Sequence, residues 1–103
     1  MGTKQKKHIK YSAQDIESKV KEILLTNLAL DQEELDLDKS DLEKLELQAQ
    51  LGAESIDIMN ISFELERAFK IMIPKEEWKS WTTIVDLISC ITKHLTAQNV
   101  LIV

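Results

Sequence analysis

Residues that interrupt helices or crosslink chains are scarce in this sequence of 103 residues. It contains two glycines, one proline and one cysteine. Glycine-rich hairpin turns are missing and helix-forming residues dominate, which favours a packed helical domain. A single cysteine, Cys90, excludes a disulfide within the chain and fits a reducing compartment. Because Cys90 lies in an apolar helical pattern, we expect a buried structural thiol.

Other absences disfavour several function classes. No apolar run is long enough to span a bilayer, and the N-terminus lacks the apolar stretch of a secretory signal, so we expect a cytoplasmic protein without stable membrane insertion. His8 and His94 are far apart in sequence, with no cysteine or carboxylate at ligand spacing, so no metal site is predicted. The net charge of −5 argues against nonspecific nucleic-acid binding and favours basic protein partners.

The length suits one small domain, which we expect to be a monomer. Its charge is uneven, because four lysines make the N-terminus basic whereas residues 31–54 are strongly acidic. The lysines are Lys4, Lys6, Lys7 and Lys10. We predict a flexible basic tail over residues 1–11, a helical bundle over residues 12–95 and a C-terminal tail over residues 96–103. A basic tail of this kind is more often a solvated end than a docking element for a partner or a membrane surface.

Apolar periodicity predicts an all-α, up-and-down bundle of three long helices and one short helix. The expected helices run from Ser12 to about residues 29–31, from Ser55 to Phe69, from Pro74 to Trp78, and from Thr82 or Thr83 to about Leu95. Ser12 and Asp15 are placed as in a capping box. Five leucines should pin the long connection over residues 31–52 to the bundle, and residues 40–43 could form one capped turn. The leucines are Leu35, Leu37, Leu42, Leu45 and Leu47. Trp78 and Trp81 are expected to be packing anchors.

The second long helix carries two apolar stripes on nearly opposite sides. One should face the core and consists of Ile58, Ile61, Leu65, Ala68 and Phe69. The other consists of Ile56, Met59 and Phe63, and we call it the apolar strip. Either both stripes are buried, as in a central helix, or the apolar strip docks partner proteins.

Ser55 lies where this helix begins, directly after a turn that contains Gly52. Free backbone N–H groups and the helix dipole stabilise an anion at such a position, so a phosphate ester is favoured there. A plain N-cap serine is the alternative, and local chemistry alone favours it.

Four motifs in register resemble the acyl carrier protein family. Residues 51–56 read Leu-Gly-Ala-Glu-Ser-Ile and are similar to its Leu-Gly-Ala-Asp-Ser-Leu signature. Residues 63–69 resemble the end of its second helix, residues 71–74 its Ile-x-Ile-Pro turn, and residues 82–84 the start of its last helix. The spacings between these motifs also match without gaps. The resemblance extends over residues 51–95 and reaches the first helix only by pattern.

The resemblance implies a carrier and not an enzyme. Ser55 would carry a 4′-phosphopantetheine arm, installed from coenzyme A and magnesium by a phosphopantetheinyl transferase. The arm would hold an acyl or related intermediate as a thioester, sheltered among the helices, for partners in fatty-acid, lipid or secondary-metabolite biosynthesis. Those partners would be a loading ligase, synthase or transferase with a basic docking patch. The apolar strip would contact them, and four acids would steer them: Glu54, Asp57, Glu64 and Glu66.

The sequence departs from the family pattern near Ser55. Glu54 and Ile56 replace the usual aspartate and leucine, and three further positions lack a common acid. These are Gln50, Asn60 and Arg67. The less acidic surface favours a dedicated carrier with one specialised client over a general one. An unmodified helical adaptor that only docks partners is the alternative. A serine nucleophile is disfavoured, because neither histidine suggests a triad and no oxyanion-hole motif is visible.

Overall fold

The computed structural model describes residues 10–98 and 101–102, and over that part of the chain it is a bundle of helices. The helices are α1 (Ala13–Leu28), a 3₁₀ turn (Gln32–Leu35), α2 (Lys39–Glu43), α3 (Ser55–Phe69), α4 (Lys75–Trp78) and α5 (Ile84–Ala97). Two short strands, β1 (Lys10–Tyr11) and β2 (Leu101–Ile102), pair in parallel. The prediction of an all-α bundle with three long helices is confirmed. The 3₁₀ turn was not predicted.

The strand pair brings residues 10–11 and 101–102 together within the described part of the chain. In the strand pair, Lys10 lies opposite Leu101 and Tyr11 lies opposite Ile102. The Tyr11 ring packs edge-on against Phe69 of α3, with 5.2 Å between ring centroids. The basic cluster of Lys4, Lys6 and Lys7 lies outside the described residues. The division into tails and bundle therefore stays a prediction.

Local hydrogen bonds and backbone conformation determine where α1 begins and ends. The Ser12 hydroxyl accepts the Asp15 N–H at 2.9 Å, and the Asp15 carboxylate accepts the Ser12 N–H at 3.0 Å. This confirms the predicted capping box. The helix ends at Leu28, slightly earlier than predicted, because Ala29 adopts a left-handed conformation with φ of 53°.

The core forms where α1, α3 and α5 pack on one another. The predicted inner stripe of α3 is buried, with Ala68 partly so. The fully buried side chains are aliphatic: Ile16, Val20, Leu24, Leu35, Leu42, Leu47, Ile61, Leu65, Ile84, Leu87, Ile91 and Leu95. Within the described residues, no helix is both long enough and apolar enough to cross a membrane.

Leucines hold the long connection between α1 and α3 on the bundle, as predicted for four of the five. Leu35, Leu42 and Leu47 are buried, and Leu45 is half-buried against the core. The prediction for Leu37 was wrong, because this residue lies in the turn between the 3₁₀ turn and α2 and is 40% exposed. The short helix at this place begins at Lys39, so Asp38 is its N-cap residue and the predicted cap at Ser40 was wrong.

Backbone hydrogen bonds fix the end of this connection against the start of α5. The Leu47 N–H donates to the Thr82 carbonyl at 2.9 Å, and the Ile84 N–H donates to the Leu45 carbonyl at 3.0 Å. The Ala53 N–H then donates back to the Leu47 carbonyl at 2.9 Å. The segment that leads into α3 is thereby held beside the first turn of α5.

α4 and α5 lie close to their predicted positions. Pro74 precedes α4, and Thr83 is the N-cap residue of α5. Trp81, between the two helices, is buried, and Trp78 packs half-buried against the core. Both tryptophans are thus packing residues, as predicted. The Asp86 carboxylate accepts the N–H groups of Thr82 and Thr83 at 2.9 and 3.0 Å, and these hydrogen bonds lower the pKa of Asp86.

We expect Asp86→Ala to lower the free energy of unfolding by about 0.5–2 kcal/mol at pH 7, the usual effect of losing a helix cap. The folded chain holds this carboxyl at a lowered pKa, so its contribution is complete at neutral pH and is lost as the pH falls below about 4. Urea denaturation of both proteins at pH 7 and pH 3 measures the difference.

The control is Asp36→Ala, which removes an exposed loop carboxylate and should change stability by less than about 0.5 kcal/mol. A difference between the Asp86 variant and the wild type that stays constant from pH 7 to pH 3 would contradict this role of the carboxylate.

Candidate functional site

Ser55 is the first residue of α3 and is exposed. The N-cap position belongs to Glu54, whose N–H donates to the Asp57 carboxylate at 2.9 Å. The interpretation of Ser55 as a plain N-cap is therefore wrong, because the chain enters the helix one residue earlier. Capping by Asp57 leaves the Ser55 hydroxyl outside the cap and facing solvent.

The turn before Ser55 contains Gly52, which lies in open space. Gly52 has φ of 74°, a left-handed conformation that favours glycine, and a Cβ added there would meet no atom within 4 Å. The first hydrogen bond within α3 runs from the Ile58 N–H to the Glu54 carbonyl at 3.0 Å. The N–H groups of Ser55 and Ile56 therefore lack a carbonyl partner inside the helix, as at any helix start. Free N–H groups and the positive end of the dipole favour an anion at such a helix start.

The apolar strip lies on the exposed side of α3. Ile56 is 56% exposed and Phe63 is 48% exposed, while Met59 is half-buried. The hypothesis that both apolar stripes of this helix are buried is thus wrong. Three large apolar side chains follow Ser55 along one side of the helix and leave apolar surface available for contact. That partners bind there stays a prediction.

The four predicted steering acids differ in how free their carboxylates are. Glu54 is exposed. Asp57 caps the helix, Glu64 accepts the side-chain N–H of Asn27 of α1 at 2.9 Å, and Glu66 accepts the Ile73 N–H at 2.7 Å. Three of these acids therefore stabilise the bundle itself as well as carrying negative charge.

A second cluster of chemically active side chains, which the sequence analysis missed, lies between α4 and α5. The Cys90 thiol donates to Glu77 Oε1 at 3.1 Å, and His94 Nε2 lies 2.8 Å from the same oxygen. Lys93 Nζ lies 3.7 Å from it. Cys90 and His94 are four residues apart and share a helix face, a spacing that could have signalled the pair. Glu77 joins them only through the packing of α4 on α5.

Burial and the shared carboxylate perturb the acid–base properties of this cluster. Cys90 is buried, as predicted, and burial together with the adjacent Glu77 raises the pKa of its thiol to about 12. Hydrogen bonds from Cys90 and His94 lower the pKa of Glu77 in spite of its partial burial. At neutral pH the thiol is therefore protonated and the carboxylate is ionised.

Comparison with known proteins shows which family this chain is similar to. A model of the family described as phosphopantetheine attachment site matches residues 18–91. The acyl carrier protein of Rubrobacter xylanophilus is 33% identical over 84 residues, which cover 82% of this chain and 96% of that protein. An acyl carrier protein of Clostridium perfringens is 29% identical over 76 residues, which cover 74% of this chain and 92% of that protein.

A solved structure supports the fold. The crystal structure of an acyl carrier protein from Thermotoga maritima matches with a TM-score of 0.68 at 24% identity, over 84% of this chain and 93% of that one. At this identity the likeness concerns the fold alone.

The exposure of the apolar strip predicts a sharp contrast between two isoleucines of α3. Ile56→Ala should change the free energy of unfolding by less than about 0.5 kcal/mol, because Ile56 is 56% exposed. Ile58→Ala should lower it by about 2–5 kcal/mol, because Ile58 is 4% exposed and its removal leaves a cavity. Urea denaturation measures both. Equal losses in the two variants would show that the strip is packed and not exposed.

Proposed function

Because the chain belongs to the acyl carrier protein family, which comprises carriers and not enzymes, we propose that Ser55 is where its 4′-phosphopantetheine arm is attached. The supporting observation is the exposed position of Ser55 at the first residue of α3, outside the helix cap. The arm supplies a thiol that holds an acyl group as a thioester.

The residues around Ser55 suit this attachment. Ser55 is exposed, so an enzyme can reach its hydroxyl from solvent. The unpaired N–H groups at the start of α3 and its dipole favour the negative charge of a phosphate diester. Glu54 and Asp57 carry like charge, which directs the diester away from the carboxylates and toward solvent.

Family membership implies contact with a phosphopantetheinyl transferase and with enzymes that process acyl groups. We propose that they dock on the apolar strip, with Glu54 as the main steering charge. This acid is exposed, whereas the other three predicted acids are partly buried. A basic patch on the partner would then meet one exposed carboxylate next to Ser55 and apolar surface beyond it.

The proposed pathway role is that of a dedicated carrier in fatty-acid, lipid or secondary-metabolite biosynthesis. Asn60 and Arg67 are exposed on α3 at positions where the family often has acids. Glu64 and Glu66 are engaged by Asn27 and by the Ile73 N–H. This helix therefore has fewer acids than is usual in the family, and two of them are already hydrogen-bonded within the bundle, which favours one specialised client over exchange among many.

The attachment is tested by intact-mass spectrometry after incubation with coenzyme A, magnesium and a broad-specificity phosphopantetheinyl transferase. We expect the mass to rise by one phosphopantetheine in the wild type and to stay unchanged in Ser55→Ala. The matched control is Ser40→Ala, which removes another exposed serine near a helix start and should leave the gain intact.

A gain that persists in Ser55→Ala would place the arm elsewhere. No gain in any protein, including with transferases of the native host, would favour the unmodified adaptor that only docks partners.

The apolar strip is tested by the kinetics of the same transfer. Ile56→Ala should lower kcat/KM for arm installation by about tenfold or more, the effect of losing a contact worth more than about 1.4 kcal/mol. The control is Leu37→Ala, which removes an exposed aliphatic side chain of the same size outside α3 and should leave kcat/KM unchanged. Equal rates for Ile56→Ala and the wild type would contradict docking on the strip.

A further inference from the structure

The cluster between α4 and α5 unites the three side-chain types that bind zinc most often. Glu77 offers a carboxylate oxygen, Cys90 a sulfur and His94 an imidazole nitrogen, and these three atoms all lie within 4.8 Å of one another. We propose that Glu77, Cys90 and His94 form a binding site for one transition-metal ion of the zinc type. The site is formed by α4 and α5, whereas Ser55 belongs to α3, and it does not depend on the proposed arm.

The geometry needs only small adjustments to accept the ion. Tetrahedral bonds of the lengths zinc makes to sulfur, nitrogen and oxygen separate the ligand atoms by about 3.4–3.6 Å. Here Glu77 Oε1 lies 3.1 Å from Cys90 Sγ and 2.8 Å from His94 Nε2. An ion would push Glu77 Oε1 away from each of the other two atoms by less than one ångström, and it would bring Cys90 Sγ and His94 Nε2, which lie within 4.8 Å of each other, to about 3.6 Å. It would replace the proton of the thiol, which is released to solvent. Small side-chain rotations supply that movement.

The mixture of ligands selects the class of metal. Calcium and magnesium prefer sets of oxygen ligands, whereas sulfur and imidazole nitrogen favour zinc, cobalt and similar ions. Three protein ligands leave a fourth position open, and a surface cavity of about 280 Å³ adjoins the cluster where water could complete the coordination. Glu77, Trp81 and Cys90 line this cavity.

The surroundings provide partners for a bound ion. The indole N–H of Trp81 is buried and has no hydrogen-bond partner among the described residues. The Trp81 side chain lines the same cavity as Cys90 and lies close to its sulfur, so the indole N–H would be available to donate to a metal-bound sulfur. Lys93 would repel a bound cation, because its ammonium group lies 3.7 Å from Glu77 Oε1, but its side chain is 67% exposed and has solvent to move into.

Binding is tested with cobalt as a spectroscopic substitute for zinc. Cobalt is titrated into the full chain carrying Ser55→Ala, because the thiol of an attached arm would bind the metal too. We expect a near-ultraviolet charge-transfer band from a thiolate–cobalt bond and visible bands of tetrahedral cobalt, saturating at one ion per chain and displaced by zinc. Since Cys90 is the only cysteine, the charge-transfer band identifies its sulfur as a ligand.

Three further variants assign the ligands. Cys90→Ser should abolish the charge-transfer band, and His94→Gln and Glu77→Gln should each weaken zinc affinity more than the roughly 10–100-fold that loss of an outer-shell partner costs. His8→Gln is the control, because it removes the other histidine of the chain and should leave the titration unchanged. Circular dichroism shows that each variant is folded before it is titrated.

The outcomes separate clearly. A band that saturates at one ion and is lost in folded Cys90→Ser supports the site. Absence of the band in the folded parent protein, or zinc affinity unchanged in folded His94→Gln, would overturn it and leave the cluster as a hydrogen-bonded link between α4 and α5. Neither result bears on the attachment of an arm to Ser55, which the mass measurement tests by itself.

Discussion

The burial of Leu47 is the constraint on which the position of Ser55 depends. Leu47 is fully buried, its N–H is bonded to the carbonyl of Thr82, and its carbonyl accepts the N–H of Ala53. Residues 45–47 are therefore hydrogen-bonded to the start of α5, and Ala53, in the turn before α3, is hydrogen-bonded to Leu47. A connection of some twenty mostly polar residues would otherwise leave the start of α3 poorly positioned. One apolar side chain and the backbone bonds beside it convert a long acidic loop into a fixed support for an exposed serine.

Local sequence patterns predicted the long helices well, whereas contacts that depend on tertiary packing could not be predicted from the sequence. The bounds of α3 match the prediction, because its apolar period runs unbroken from Ser55 until Lys70 turns left-handed with φ of 56°. The exposure of Leu37 could not be predicted, since the 3₁₀ turn that precedes it has no distinctive pattern. The cap of α3 was also misassigned, because the Asp57 carboxylate accepts the Glu54 N–H and Glu54, not Ser55, is the N-cap residue. Glu77 meets Cys90 and His94 only after α4 packs on α5, so their cluster was missed.

The acids of α3 stabilise the bundle and, in the proposed docking, also attract a partner. Glu64 links α3 to α1 through Asn27, and Glu66 holds the turn after the helix through the Ile73 N–H. A carboxylate engaged in this way is less available to a partner, because a new ion pair would compete with an existing hydrogen bond. Glu54 is the exposed N-cap residue of α3 and takes part in neither of these two hydrogen bonds. Counting acids along a helix therefore overstates the number of carboxylates that are free to pair with a partner.

The burial of Cys90 has a consequence for the chemistry of any thioester carried on this protein. A cysteine that was exposed and readily ionised would attack such an ester and take the acyl group by transthioesterification, leaving the cargo stranded on the bundle. Cys90 is 8% exposed and its thiol pKa is raised to about 12, so very little thiolate is present at neutral pH to act as the nucleophile. The fold thereby protects the carrier from acylating itself, and an attached arm would hold the single readily reactive sulfur of the molecule.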